Sequence, residues 1–374
     1  MAPLIDTLKV AGANRTVWVF GAGASAFYDI PTQARILQRL AVMKRPGNNA
    51  VQDGLNGLRK KVQQHCRLIL PGLDITDDRL SLEEVFSAFE LRQTEARSTG
   101  EEISKAEAAF DDLIEALRVA MCVFGPGTLQ KWKPHRRNGT FSPYAELIEK
   151  LVPVGPPRPP PHCLVTFNYD ICLDRCLINL RGSGAEYDLD YGFQLANSRC
   201  SKAPNFGSPR DGQSLLTLRT HGSLNWRRCK ACHNVFTTLN SQSIIRDSLR
   251  CYACGKKRMD YVLVHPSFNR RYDDPLLQIV WGRLSEELLG ADRWVFVGYS
   301  LPPADFHFRE LLRDCLRSRR SRAKPTEIVL VDRGQETDQA FIRVRESYEW
   351  LFGKNLSVWK PTPGGFADFV AALS

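Results

Sequence analysis

The sequence predicts an α/β protein with a doubly wound parallel sheet, a helical insertion and a small zinc module. Three observations lead to this prediction. Short apolar segments of strand type alternate with helical segments. A glycine-rich segment directly follows the first of these strands. Two Cys-x2-Cys pairs lie in one short stretch. We expect one domain over 1–374, containing the helical insertion at 45–160 and the four-cysteine module at 225–258.

Composition limits the class of protein. Of the 374 residues, 43% are hydrophobic and 25% are charged, so disorder over most of the chain is not expected. Apolar stretches are too short for a membrane span, and the first residues lack a signal-peptide pattern. The net charge of +10 favours anionic partners. The eleven cysteines, an odd number, indicate a reduced cytoplasmic protein with a metal site rather than a disulfide framework.

The elements follow from hydrophobic periodicity. Runs of β-branched and aromatic residues predict strands at 16–20, 164–167, 216–219, 261–264, 294–297 and 327–331. Helical patterns cover 31–42, much of 54–149, 275–289 and 304–317. A capping box at 81–84 opens one of these helices. The proline-dense segment 152–161 predicts a stiff connector, and 188–212 is predicted to be loop.

The first strand leads into a glycine-rich segment that includes Gly21, Ala22, Gly23 and Ser25. At such a junction, glycines permit a tight turn and bring backbone amides close to a pyrophosphate. The alternative is a plain turn between a strand and a helix. No acidic residue closes a second strand about twenty residues on, which argues against an ordinary hydride-transferring dehydrogenase.

Polar residues follow two other predicted strands. Asn168 and Asp170 stand where an open α/β sheet binds its ligands. Asn168 can hold a ribose hydroxyl or water, and Asp170 can accept from a carboxamide. The alternative is that both only cap the next helix. His221 is a candidate general base, and its alternative is a structural histidine.

The four paired cysteines are Cys229, Cys232, Cys251 and Cys254. Two such pairs can surround one tetrahedral zinc and leave no position open for water, which predicts a structural ion. Four free thiols in a reduced compartment are the alternative. The basic run at 313–324 is interpreted as a solvated helix end rather than a nucleic-acid site.

The motifs occur along the chain in the order GAGAS, TFNYD, HGS, the cysteine pairs and VGYSL, followed by a strand that ends at Asp332. This order resembles the sirtuin-like family. Within that family, the motifs resemble the prokaryotic branch that hydrolyses NAD in antiviral defence. The resemblance covers about 15–350. It implies catalytic roles for Asn168 and His221. It implies NAD-binding roles for Gly21, Ala22, Gly23, Ser25, Asp170, Gly298, Ser300 and Asp332.

Two departures from the family bear on activity. Deacylating sirtuins continue the glycine segment with GIPDFR, whereas this chain has Asp29-Ile30-Pro31-Thr32-Gln33. Many sirtuins have asparagine at the position of Asp332. The resemblance therefore implies an NAD glycohydrolase, with NAD as substrate and nicotinamide plus ADP-ribose or its cyclic form as products. The alternatives are an NAD-dependent protein deacylase and a non-catalytic NAD or ADP-ribose sensor.

The partners implied are NAD, further copies of the chain, and an ATPase or a nucleic-acid-guided defence protein. An enzyme that depletes NAD harms its own cell, so we expect a restrained homo-oligomer. No membrane partner is expected.

Overall fold

A computed structural model describes residues 2–5, 8–9, 15–28, 30–31, 35–42, 49–69, 72, 74–77, 80–99, 111–117, 121, 142–151, 162–182, 188–200, 214–237, 250–257, 259–319 and 326–373. The predicted connector at 152–161 lies outside these residues. Also outside them are much of the predicted insertion, residues 201–212 of the loop prediction at 188–212, the end of the basic run, and Asp29, Thr32 and Gln33.

The chain divides into two compact units. The first comprises Met1–Tyr28, Gln130–Leu263 and Tyr272–Ser374, and the second comprises Asp29–Leu129 and Val264–Arg271. The domain boundaries given above stay a prediction.

The described part of the second unit is mainly helical. Its helices are α1 (Ile36–Val42), α2 (Asn49–Ile69) and α3 (Leu82–Thr99), and residues 111–117 are also helical. The capping box is confirmed at the start of α3, where the Glu84 amide donates to Ser81 Oγ at 3.1 Å and the Ser81 amide donates to Glu84 Oε2 at 3.2 Å.

The first unit is built on a parallel sheet. Its strands are β1 (Leu4–Ile5), β2 (Thr16–Phe20), β3 (His162–Thr166), β4 (Asp188–Asp190), β5 (Ser214–Arg219), β9 (Arg293–Val297), β10 (Glu327–Val331) and β11 (Leu356–Trp359). Among the described residues, these eight strands form one sheet in the order β1-β11-β10-β9-β2-β3-β5-β4, and every neighbouring pair is parallel. The predicted parallel sheet is therefore confirmed.

A small antiparallel sheet carries the cysteines. It consists of β6 (Gly222–Cys229), β7 (Val235–Thr237) and β8 (Met259–Leu263), in the order β7-β6-β8.

Helices cover both faces of the large sheet. They are α4 (Pro143–Leu151), α5 (Cys172–Gly182), α6 (Pro275–Gly290), α7 (Phe306–Arg319), α8 (Gln339–Phe352) and α9 (Phe366–Ala372). On one face, Phe20 packs against Tyr144 of α4 and Phe366 of α9. On the other face, Phe296 packs against α7 and α8. Phe296 is in register with Val19, and successive strand residues point to opposite faces, so the two aromatic clusters lie on opposite sides. The sheet is doubly wound, as predicted.

The strand order places a topological switch point between β2 and β9. From β2 the chain builds outward through β3 and β5, and it later builds outward on the other side through β9, β10 and β11. In open α/β sheets, ligands bind at the carboxyl ends of strands beside such a point.

Two local predictions were incomplete. Asp188–Asp190 lies in a predicted loop and forms an edge strand, which shows little signal because a three-residue strand paired on one side needs no apolar run. The glycine segment runs directly into a 3₁₀ helix, Ala22–Tyr28, which periodicity did not indicate. None of the described helices has both the length and the apolar character needed to span a membrane.

Candidate functional site

The glycine segment packs directly on the loop that follows β9. A Cβ atom on Gly21 would lie 2.5 Å from the Gly298 carbonyl oxygen, and one on Gly23 would lie 2.8 Å from the Gly298 Cα. The Gly23 amide donates to the Gly298 carbonyl at 2.9 Å. These contacts require glycine for the packing of one loop on the other. The glycines alone therefore do not establish a phosphate site.

Several amides of this segment already have partners in the protein. Gly21 donates to the Val297 carbonyl at 3.0 Å, and Ala24 donates to the Gly21 carbonyl at 3.0 Å. Ala22 is exposed and Gly23 is half-buried. The surface that this segment offers to a ligand is thus centred on Ala22 and Gly23.

Gly298→Ala should disrupt the switch point. Gly298 has a φ of +56°, and a Cβ there would lie 2.4 Å from the Ala24 nitrogen. Gly353→Ala is a matched control, because Gly353 has a φ of +55° with no atom within 4 Å of the added Cβ. Both variants place a side chain at a positive φ, which residues other than glycine rarely adopt. We expect Gly298→Ala to lower the melting temperature further and to weaken nucleotide binding in calorimetry. Equal melting temperatures would contradict this expectation.

Asn168 ties the end of β3 to the glycine segment. Its Nδ2 donates to the Gly21 carbonyl at 2.8 Å and to Ser25 Oγ at 3.0 Å. Ser25 is fully buried, and its hydroxyl lies 3.2 Å from the Tyr144 hydroxyl. Asn168 is 7% exposed. Its side-chain amide therefore orders the predicted site.

The two carboxylate oxygens of Asp170 lie in different environments. Its Oδ1 accepts from the Cys172 amide at 2.9 Å and so caps α5, the alternative considered for this residue. Its Oδ2 is buried and has no hydrogen-bond partner within the described part of the chain. A buried oxygen of this kind costs free energy until a donor reaches it. That leaves one oxygen of Asp170 available to a ligand.

His221 lies in the tight turn between β5 and β6. Gly222 makes this turn with a φ of +72°, and a Cβ there would lie 2.1 Å from the Val262 carbonyl oxygen. His221 is 1% exposed. Its Nδ1 lies 3.2 Å from the carbonyl oxygen of Phe167, the residue before Asn168. The two predicted catalytic residues thus follow the ends of neighbouring strands, β3 and β5.

A buried ion pair that sequence reasoning missed supports this strand end. Arg219 and Asp174 are fully buried and bonded to each other, and Tyr191 also donates to Asp174. Arg219 Nη2 donates to the carbonyl of Asn168 at 2.9 Å and to that of Asp170. Arg219 therefore holds the backbone on both sides of Tyr169. The signal available in the sequence was an arginine at the end of a mostly apolar strand, which indicates a buried partner.

The other predicted residues lie at neighbouring strand ends. The Gly298 amide donates to the Val331 carbonyl at 2.8 Å, which places Gly298 beside Asp332. Burial raises the pKa of Asp332, while the Arg333 amide opposes that shift. Ser300 is exposed. Among the described residues, no hydrogen bond joins Ser300 or Asp332 to the pair Asn168 and His221.

The cysteines form one compact group in the small sheet. The Sγ atoms of Cys229, Cys232, Cys251 and Cys254 all lie within 4.8 Å of one another. Cys229 and Cys254 are 3.5 Å apart at sulfur, as are Cys232 and Cys251. A tetrahedral zinc with bonds of about 2.3 Å places its sulfurs about 3.8 Å apart. The group could therefore hold a zinc ion.

The two cysteine loops have matching backbone geometry. Cys229 donates to the Asn234 carbonyl and accepts from the His233 amide, at 3.0 and 2.9 Å. Cys251 has the same relation to Lys256 and Gly255, at 2.8 Å for both bonds. His233 and Gly255 both have positive φ angles. The Ala231 amide and Asn234 Nδ2 donate to sulfurs, each at 3.4 Å, which favours thiolates. Two matched loops fit a structural metal better than four unrelated thiols.

Purified protein should contain one zinc per chain. Cys251→Ser should lose that zinc and melt at a lower temperature, because structural zinc contributes directly to folding free energy. Cys200→Ser is the control, since Cys200 packs against the same cluster without belonging to the four. Elemental analysis and thermal melts measure both effects. Zinc-free protein purified without chelator, or equal zinc content in the two variants, would contradict the prediction.

Comparisons with known proteins find similarity among solved structures. No family model matches the chain, and no curated protein matches it. A structure of a Sir2 homolog–NAD complex is 15% identical over 96% of this chain and 89% of that chain, with a TM-score of 0.40. A structure on the mechanism and regulation of Sir2 enzymes is 15% identical over 96% and 90%, with a TM-score of 0.38. Sir2Tm bound to a propionylated peptide is 14% identical over 95% and 90%, with a TM-score of 0.38. Similarity of this size assigns no activity to the chain.

Proposed function

We propose that this protein cleaves the nicotinamide glycosidic bond of NAD and releases nicotinamide with ADP-ribose or its cyclic form. One observation carries the proposal. At the switch point of the sheet, Asn168 is bonded to the glycine segment while His221 is bonded to the carbonyl of Phe167. The amide and the imidazole therefore follow the carboxyl ends of the neighbouring strands β3 and β5, the edge at which an open α/β sheet binds its ligand. The motif order that resembles the sirtuin-like family supports NAD as that ligand.

Each residue has a role that follows from its chemistry. The nicotinamide ring takes the electron pair of the breaking bond, and the ribose develops oxocarbenium character. Asp170 Oδ2 accepts from the carboxamide of the departing ring. Asn168 orients a ribose hydroxyl or a water molecule, and His221 takes its proton.

The rest of the NAD molecule is assigned to neighbouring loops. The phosphates lie against Ala22 and Gly23, where the glycine segment reaches the surface. The other half of the dinucleotide extends toward Gly298 and Ser300, and its adenosine ribose approaches Asp332. The four cysteines bind zinc, which stabilises the small sheet.

Nicotinamide release by purified protein tests the proposal. We expect the purified protein to cleave NAD without any other substrate. Liquid chromatography should then detect nicotinamide together with ADP-ribose or its cyclic form. Nicotinamide release only in the presence of an acyl-lysine peptide would establish a deacylase instead. Nucleotide binding in calorimetry without any product would favour a sensor.

We further propose that the enzyme is a cytosolic antiphage effector that depletes NAD and is held inactive as a homo-oligomer. The burial of Asn168 and His221 supports a restrained resting form. The trigger would come from infection, through an ATPase or a nucleic-acid-guided partner. Light scattering and NAD turnover, with and without extract from phage-infected cells, test this proposal. A monomer with full constitutive activity would contradict it.

A further inference from the structure

Asp305 lies against the imidazole of His221. It ends the short 3₁₀ turn Pro303–Asp305 that leads from β9 into α7. Its Oδ1 is 3.4 Å from His221 Nε2, and both side chains are 2% exposed. A carboxylate and an imidazole that are both excluded from water interact far more strongly than a pair on the surface.

The hydrogen bond at the other ring nitrogen defines the chemistry of Nε2. His221 Nδ1 lies 3.2 Å from the Phe167 carbonyl, and a carbonyl oxygen can only accept. Nδ1 therefore carries a hydrogen, and Nε2 is the nitrogen that gains and loses a proton. Nε2 lies 3.4 Å from Asp305 Oδ1 and 3.3 Å from the Tyr272 hydroxyl.

The carboxylate of Asp305 is itself held by Tyr299, which a second tyrosine holds in turn. The Tyr299 hydroxyl donates to Asp305 Oδ2. The Tyr299 ring stacks on Phe167 with centroids 4.6 Å apart, and its carbonyl accepts from the Tyr348 hydroxyl of α8 at 2.7 Å. Asp305 is therefore oriented toward His221 by elements outside its own turn.

We propose that Asp305 is a positioning residue for His221, holding the ring and stabilising its protonated form. The inference rests on the proposed function. When His221 takes a proton, the O–H bond of the water or ribose hydroxyl breaks and an N–H bond forms at Nε2. The electron pair left on that oxygen forms the new bond to the ribose carbon, while nicotinamide leaves with the glycosidic pair. Asp305 stays ionised and offsets the charge of the imidazolium, whose proton later returns to solvent.

Two tyrosines also lie around the imidazole, and a second histidine lies behind one of them. Tyr272, before α6, and Tyr169, after β3, face the ring as phenols, with Tyr169 stacked at 5.7 Å. His307 of α7 stacks on Tyr272 rather than on His221, and burial lowers the pKa of His307, so it is neutral at pH 7.

Asp305→Asn tests this role, with Tyr272→Phe as the matched control at the same nitrogen. In the full chain without NAD, the pH midpoint of the His221 ring titration, followed by NMR, should fall by about one unit or more in Asp305→Asn. Tyr272→Phe should shift it much less. With NAD, Asp305→Asn should lower kcat roughly tenfold or more, move the acid limb of the pH–rate profile to lower pH, and leave KM nearly unchanged.

An unchanged midpoint in Asp305→Asn would overturn the inference. If that variant fails to fold, the wild-type protein supplies the test. The carboxyl carbon of Asp305 must then shift over the same pH range as the His221 ring, and independent titrations would overturn the inference. Wild-type protein without NAD turnover would contradict the proposed function alone, since the NMR titration needs no substrate.

Discussion

Asn168→Ala and His221→Ala should each slow nicotinamide release from NAD by about a hundred- to ten-thousand-fold. Losing a group that orients the substrate or transfers a proton typically costs that much. Both residues are well buried, so truncation also risks the fold. Asn168→Asp and His221→Gln therefore accompany them. The aspartate keeps the size of Asn168 without its donor, and the glutamine fills space without the proton chemistry of imidazole.

The matched control is His162→Gln. His162 is buried at the amino end of β3, at the sheet edge opposite the site, and burial lowers its pKa to about 4. It is neutral at pH 7 and has no part in the proposed chemistry. His162→Gln should lose some stability and keep its turnover. If His221→Gln also keeps near wild-type turnover, the catalytic role of His221 is wrong. If every site variant unfolds while His162→Gln folds, Asn168 and His221 are structural and the sensor alternative gains support.

The sheet was predictable because it is buried on both faces. Every residue of β2, β3 and β9 is buried, so each strand stands out in the sequence as a short run of mostly apolar residues. Glycine or a polar residue then marks the strand end, where parallel strands place their ligand-binding loops. The cysteine group was predictable for a similar reason, because metal-binding spacing is a local property of the chain.

The support of the site was not predictable, because it depends on partners far apart in sequence. Arg219 and Asp174 are 45 residues apart in the sequence. Asp305 is separated from His221 by the small sheet, α6 and β9. The need for glycine at Gly21 arises from Gly298, which lies in the loop after β9, far along the chain from Gly21. Local periodicity holds no information about such contacts. A charged residue inside an apolar strand, as at Arg219, signals that a buried partner exists without identifying it.

Arg219→Met should destabilise the protein by about 3–5 kcal/mol, because it leaves the carboxylate of Asp174 buried without its cation. Arg317→Met is the control. Arg317 pairs with Asp314 on the surface, where both side chains are more than half exposed, and such pairs contribute less than about 1 kcal/mol. Urea unfolding followed by tryptophan fluorescence compares the two variants. A loss below about 1 kcal/mol for Arg219→Met would contradict the role of the pair.

The double variant Arg219→Met/Asp174→Asn separates stability from activity. It removes both charges while keeping an acceptor for Tyr191, so part of the lost stability should return. NAD cleavage should stay low, since the carbonyls of Asn168 and Asp170 still lack the donor that holds them in place. Full recovery of turnover in the double variant would show that Arg219 serves only to neutralise Asp174. Recovery of stability alone would show that Arg219 also positions the backbone that carries the site.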